Sequence, residues 1–318
     1  MQFIDRKRVQ QALSYAKCLQ LSRDAFSLFS NGKVKQTLRS VIVSEQSSMM
    51  GTMPAYISEG PYAGFGLKTV KVDFSRSHQR SSHEGCILLY GASNHEDMVL
   101  VDAASVTELR TAAASAVATD ILAPENASHL AILGTGVQAK KHVLLMMEIR
   151  SLRQITVWGR NTTSAAIFAD WCRQHTGLPV TVAMTPAQAV SDADIICTVT
   201  ASKEPFLHAN DLPDHCHINA VGASAFGFQE LGPDIYSATK LYVDSREAVW
   251  NASSCLIQAK EQGFITPTDM GIEIGELLTS DLKPFVVKLP RTLFKSVGLA
   301  VQDLVFSRAI VSQLQPLI

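Results

Sequence analysis

Two stretches of this chain carry residue types at spacings that could bind a phosphorylated cofactor. The first is Gly134-Thr135-Gly136-Val137-Gln138-Ala139, which follows the apolar run His129–Leu133. The GxGxxA spacing suits a pyrophosphate. Gly134 permits a tight turn, Gly136 lets backbone approach the phosphates, and Ala139 lets the following helix pack close to its strand. The N-terminus of that helix, at Val137 and Gln138, attracts negative charge. The second stretch is Trp158-Gly159-Arg160-Asn161-Thr162, at the end of the next apolar run. A carboxylate here would hold a ribose 2′-hydroxyl, and none is present. Arg160 suits a 2′-phosphate instead, with Asn161 and Thr162 donating hydrogen bonds. The expected cofactor is a nicotinamide dinucleotide, NADPH in preference to NADH.

The elements that position these loops follow from the apolar pattern. From residue 129 onward strands and helices alternate: strand 129–133, helix 137–149, strand 154–158, helix 163–175, then strands near 179–183, 194–199, 216–221 and 241–244. Such alternation predicts a parallel sheet covered on both faces. Thr200-Ala201, Val221 to Ser224 and Ser296-Val297-Gly298 fall at or beyond ends of the later segments. Open α/β sheets bind ligands at the carboxyl ends of their strands. Upstream, residues 5–30 read as one helix capped by Asp5 and closed at Asn31-Gly32. Residues 36–102 read as short strands (37–43, 67–72, 86–90, 98–101) separated by Gly and Pro, among them Gly51 and Pro54. An Ala-rich helix over 107–122 joins the two halves, and 291–316 reads as a final helix that packs back on the first half.

Composition narrows the function classes. The 318 residues hold 28 basic and 29 acidic side chains, 47% hydrophobic and 18% charged residues. A chain of this length and apolar content buries a full core and is not disordered. The near-neutral balance argues against a nucleic-acid partner. No apolar run approaches the roughly 18 residues of a membrane helix, and the N-terminus lacks a signal peptide's apolar stretch. Six cysteines without a CxxC pair read as reduced residues of a cytoplasmic protein. His215-Cys216-His217 places two histidines on one strand face, but no third ligand follows, so no metal is expected.

Further motifs occur in a fixed order: Met53-Pro54-Ala55-Tyr56, Gly66-Leu67-Lys68, Glu108-Leu109-Arg110-Thr111-Ala112-Ala113, the Gly134 loop, Ile218 to Ser224, Leu241-Tyr242-Val243-Asp244-Ser245 and Phe294 to Ala300. Together they make the chain resemble the ornithine cyclodeaminase/mu-crystallin family over essentially its whole length. The resemblance implies a homodimer of α/β subunits. A Rossmann doubly wound parallel sheet (116–290) would bind the cofactor. An α+β substrate and dimerisation domain (1–115 with 291–318) would complete each subunit. It also implies small α-amino or α-imino acid substrates and hydride transfer to or from NAD(P).

By the same resemblance, Arg39, Lys68 and Arg110 converge on the substrate. Arg39 and Arg110 would clamp its carboxylate. Lys68 would donate a proton to nitrogen if neighbouring cations lower its pKa. Arg110 and Thr111 also face the cofactor phosphates. Thr200, Ala201, Val221, Ser224, Ser296, Val297 and Gly298 border the dinucleotide. Two departures discriminate within the family. Cyclodeaminases carry Asp where this chain has Ser224, and Glu where it has Gly51. Ser224 is a poor base, so cyclodeamination is not expected. The Gly-Ala-Ser form resembles the ketimine reductase branch, which reduces a cyclic imine such as Δ1-pyrroline-2-carboxylate to L-proline, or the six-membered ring to L-pipecolate. Ser224 then hydrogen-bonds the imine nitrogen or an ordered water, or else caps backbone. His83, at the branch's Ser-His pair, either contacts substrate, relays a proton or is an uninvolved histidine. The alternatives are reductive amination of a 2-oxo acid, as in alanine dehydrogenase, and a dinucleotide- and ligand-binding protein with little turnover.

Overall fold

A computed structural model describes residues 1–45, 48–72, 83–91, 98–266, 268–280 and 290–314. It divides into two compact units, Met1–Arg110 with Leu299–Ile318, and Thr111–Gly298.

In the first unit the chain runs through β1 (Gln2–Ile4), α1 (Arg6–Ala12), α2 (Tyr15–Ser30), β2 (Val34–Gln36), β3 (Ser40–Val43), β4 (Met49–Ile57), β5 (Gly64–Val72), β6 (His83–Leu89), β7 (Val99–Asp102) and α3 (Ala103–Leu122), whose second half belongs to the other unit. Among the described residues the strands form one sheet in the order β1-β7-β6-β5-β4-β2, with β3 also on β4. β1 pairs parallel and the rest antiparallel. The C-terminal helix, Ala300–Leu314, packs on α2, β4, β5 and β6.

Three sequence expectations change here. The single helix over 5–30 is two helices. Leu13 is extended (φ −126°, ψ 127°), and Ser14 starts α2 by accepting from the Lys17 N–H at 3.2 Å. Asp5 caps α1 as expected, accepting from Arg8 N–H at 2.9 Å. Gly51 and Pro54 do not separate strands but lie inside β4. Pro lacks an N–H and is normally excluded from a strand paired on both sides. β2 ends opposite Ala55 and β3 begins opposite Thr52, so Pro54 faces the break between them, where the ladder is already interrupted. Arg39, read as a strand residue, lies in that break.

The second unit continues through β8 (His129–Leu133), α4 (Val137–Ile149), β9 (Gln154–Trp158), α5 (Thr162–Thr176), β10 (Val180–Val182), α6 (Pro186–Val190), β11 (Ile195–Thr198), β12 (Cys216–Ala220), α7 (Ile235–Ala238), β13 (Lys240–Val243), α8 (Arg246–Ala252), α9 (Ser254–Glu261), β14 (Ile272–Glu273), α10 (Ile274–Thr279) and β15 (Arg291–Lys295). All strand pairs are parallel, in the order β10-β9-β8-β11-β12-β15-β13-β14. β8 and β11 consist almost wholly of buried apolar residues, as a strand covered on both faces requires. The order reverses between β8 and β11, and the crevice at that reversal is where such sheets bind ligands. The expected helix over 291–316 is corrected: Arg291–Lys295 is a strand between β12 and β13, and helix begins at Ala300.

Candidate functional site

The candidate residues form two groups, one in each unit. In the second unit the Gly134 loop joins β8 to α4. Gly134 adopts φ 129°, and a Cβ there would lie 2.8 Å from the Val199 carbonyl oxygen. The position therefore demands glycine on both counts. Gly136 has ordinary extended backbone, and a Cβ there would meet nothing within 4 Å. It caps α4 without a side-chain hydrogen bond. The first-turn N–H groups of α4 lack intrahelical partners, with Gly136 and Val137 exposed and Gln138 half-buried beside them. A pyrophosphate fits this arrangement.

Two buried carboxylates hold the loops that follow. Glu230 is fully buried. Its Oε1 accepts from Thr200 N–H (2.6 Å) and Thr200 Oγ1 (2.8 Å), and its Oε2 from Thr198 Oγ1 (2.9 Å) and Ala223 N–H (3.1 Å). Gly222 is enclosed by Thr200 backbone and Glu230, with no room for a Cβ. Thr198, Thr200 and Ala223 are thus held through one side chain, while Ala201 is exposed. Ser224 is half-buried and donates its N–H to Gly222 O at 3.2 Å. Asp244 plays the same part for the loop after β15. Its Oδ2 accepts from Ser296 Oγ (2.7 Å), Val297 N–H (2.9 Å) and Gly298 N–H (2.7 Å), and its Oδ1 from Ser245 N–H (2.9 Å). Burial raises its pKa above the usual carboxylate value, against these four bonds. Lys295 is buried nearby and donates to the carbonyls of Ala220 (3.2 Å) and Ala223 (2.7 Å).

Beyond β9, Arg160 is exposed. Asn161 caps α5 through Oδ1, which accepts from Ser164 N–H at 2.8 Å. Its amide N–H₂ and the exposed Thr162 remain at the start of a 15-residue helix.

In the first unit, Lys68 lies on the inner face of β5, which it shares with Gly66, and Gly66 packs under Leu304 of the C-terminal helix. It is 3% exposed, and Arg110 5%. Thr107 and Arg110 lie three residues apart on α3 and share a face. Lys68 Nζ donates to Thr107 Oγ1 (2.6 Å) and Asp303 Oδ1 (2.9 Å). Thr107 Oγ1 in turn donates a hydrogen bond to Ala103 O at 2.7 Å. Arg110 Nε donates to the same Asp303 oxygen at 3.3 Å. Burial first, then Arg110 and Arg39, lower the Lys68 pKa to about 8, against the opposing pull of Asp303. The lowering expected from neighbouring cations therefore comes chiefly from desolvation. Gly51 lies beside Arg39, and a Cβ there would sit 3.6 Å from Arg39 Cδ.

The model of the ornithine cyclodeaminase/mu-crystallin family matches residues 2–316. The chain belongs to that family. Among its members, the ketimine reductase mu-crystallin of Mus musculus is 34% identical over 316 residues, covering 97% of this chain and 96% of that protein. The Δ1-pyrroline-2-carboxylate reductase of Colwellia psychrerythraea is 29% identical over 320 residues, 99% of each. The structure of Thermococcus litoralis Δ1-pyrroline-2-carboxylate reductase in complex with NADH and L-proline superposes with a TM-score of 0.94 at 27% identity, covering 99% of this chain and 98% of that one.

The structure gathers Lys68, Arg110 and Arg39 in the first unit. It puts Gly134, Gly136, Val137, Gln138, Thr200, Val221 and the 296–298 loop at carboxyl ends of the second unit's sheet. Thr111, next to Arg110 on α3, is buried. His83 starts β6, and its side chain lies outside the described residues, as do Ser81 and Ser82. The two-histidine face is corrected. His215 precedes β12 and is exposed, whereas His217 is buried between Thr292 Oγ1 (2.8 Å) and Asn219 Oδ1 (3.3 Å), with its pKa pushed down to about 3 by desolvation.

Sequence reasoning missed Asp303, Glu230 and Asp244 as organising groups. Asp303 had a signal: it is an acid within the otherwise apolar-rich run Ala300–Phe306, where a charge demands a partner. Glu230, among loop residues, had none.

Proposed function

We propose that this chain reduces a cyclic α-imino acid, Δ1-pyrroline-2-carboxylate to L-proline, with the six-membered Δ1-piperideine-2-carboxylate as a second substrate giving L-pipecolate. The observation that carries the reading is the buried Lys68, with Arg110 beside it, in a family whose similar members are named for this reaction. A bound nicotinamide cofactor supplies the hydride for C2. The π electrons of the C=N bond move to nitrogen, and Lys68 Nζ donates the proton that nitrogen needs. With a pKa of about 8, Lys68 is charged at neutral pH yet gives up its proton more readily than an ordinary lysine. Arg110 uses Nε on Asp303, so its terminal nitrogens serve the substrate carboxylate, with Arg39 as the second cation. By the family resemblance, Ser224 would hydrogen-bond the imine nitrogen or a water, and His83 would contact substrate or relay a proton.

The Gly134 turn, the uncapped α4 N-terminus and Gly136 would hold the pyrophosphate. Val137, Gln138 and Thr111 would lie along it, and Thr200, Ala201, Val221, Ser224, Ser296, Val297 and Gly298 along the nicotinamide half. Val297 and Gly298 give their N–H groups to Asp244, so they would shape the pocket by backbone position. Arg160, the Asn161 amide and Thr162 would favour NADPH over NADH. A homodimer is supported by exposed apolar residues on the first unit's sheet, Ile42 (62%), Val43 (63%) and Phe65 (60%). A cytoplasmic setting is supported by six cysteines that form no disulfide. No helix among the described residues is long and apolar enough to cross a membrane.

The test is NADPH oxidation with Δ1-pyrroline-2-carboxylate beside pyruvate plus ammonia. Turnover of the cyclic imine alone is expected. Turnover of pyruvate with ammonia alone would move the chain to reductive amination of 2-oxo acids. Tight NADPH binding without turnover of either would make it a binding protein.

A further inference from the structure

Asp303 is fully buried, on a helix whose neighbours at 301, 302 and 304–306 are buried too. Its Oδ1 takes both cationic donors, Lys68 Nζ and Arg110 Nε. Its Oδ2 is buried and has no partner among the described residues. A carboxylate with one oxygen shared by two cations and the other left bare is poorly satisfied as a structural element, since burying an ionised oxygen without a donor is costly. The arrangement is economical for a different purpose. One negative charge stabilises two positive ones while occupying a single N–H of Lys68 and only the Nε of Arg110.

We propose that Asp303 is the positioning residue of the substrate site: it holds Lys68 in its ammonium form and turns the terminal nitrogens of Arg110 toward a substrate carboxylate. This deepens the proposed reductase reading and rests on it for the identity of the substrate. The charged groups facing Lys68 are Asp303 from the C-terminal helix, Arg110 from α3 and Arg39 from the β2–β3 break. Two are cations that drive its proton off, so Asp303 is what retains it. Removing an opposite charge at this distance lowers an amine pKa by roughly 1–3 units. Arg110, without its anchor, loses the orientation that a bidentate carboxylate clamp needs.

The test compares Asp303→Asn and Asp303→Glu with the parent enzyme in the pH dependence of kcat/KM for Δ1-pyrroline-2-carboxylate. In Asp303→Asn the alkaline limb is expected to move down by at least one pH unit, with KM for the imino acid raised. In Asp303→Glu, which keeps the charge, the limb is expected near the parent's. A limb unchanged in Asp303→Asn, or displaced alike in both variants, overturns the proposal. If Asp303→Asn does not fold, Asp303→Glu carries the test alone, and a limb displaced downward there overturns it. A second readout needs no turnover. The ¹³Cε signal of Lys68, assigned with Lys68→Arg, should titrate at least one unit lower in Asp303→Asn than in the parent. An unshifted titration contradicts the role of Asp303 whether or not the cyclic imine is the substrate, whereas a shifted one without imine turnover contradicts only the substrate reading.

Discussion

Both units bury carboxylates, but they use them differently. Glu230 and Asp244 each accept four hydrogen bonds from neutral donors, with both oxygens engaged. Asp303 takes two cations on one oxygen and, among the described residues, nothing on the other. A carboxylate saturated by backbone N–H and hydroxyl groups fixes the shape of a loop. A half-satisfied one among cations fixes charge. On the proposed reading, the second unit would hold a cofactor of constant shape, and the first would hold protons and positive charge for a small anion.

The largest effect should come from breaking the charge side. Lys68→Met removes the proposed proton donor, and kcat/KM for the cyclic imine should fall about 10³-fold. Fluorescence titration should find NADPH affinity within a few-fold of the parent. Equal losses of turnover and NADPH affinity would mean that Lys68 serves the fold of both units rather than the substrate. Breaking the shape side should look different. Glu230→Gln places an amide N–H₂ against either the Thr200 or the Ala223 donor, which should cost about 2 kcal/mol in denaturant unfolding. It should also raise the Kd for NADPH about tenfold while leaving the pH profile in place. The smallest effect concerns an exposed cation with neither role. Arg160→Ala should weaken NADPH about tenfold and NADH hardly at all, as an exposed contact to a 2′-phosphate would. Equal weakening of both would remove Arg160 from cofactor selection.

The same contrast explains what could be read from sequence. The cofactor loop and its strands, 129–133 and 154–158, with helix 137–149, emerged with the expected bounds, because their signals are contiguous and periodic. β4 was lost because Gly51 and Pro54 look like punctuation. Their tolerance depends on a break between β2 and β3 across the sheet, which is a tertiary fact. β15 was absorbed into a helix because five residues ahead of a long helical pattern carry too little periodicity to stand apart. Lys68 and Arg110 could be nominated through the family's motifs, but the acid that joins them lies 235 residues from Lys68 and 193 from Arg110. Nothing local announces such a pairing. Arg39 was nominated too, although it lies in the irregular link and not in a strand.

The central claim is that a buried lysine of the first unit protonates the imine nitrogen, and the pH dependence of kcat/KM with Δ1-pyrroline-2-carboxylate and NADPH tests it most directly. A proton donor must carry its proton, so activity should hold below the Lys68 pKa and fall as pH rises through about 8. A limb near 8 that disappears in Lys68→Met is the predicted result. A rate that stays level to pH 9.5 in the parent, or a limb that survives in Lys68→Met, would show that the proton comes from elsewhere.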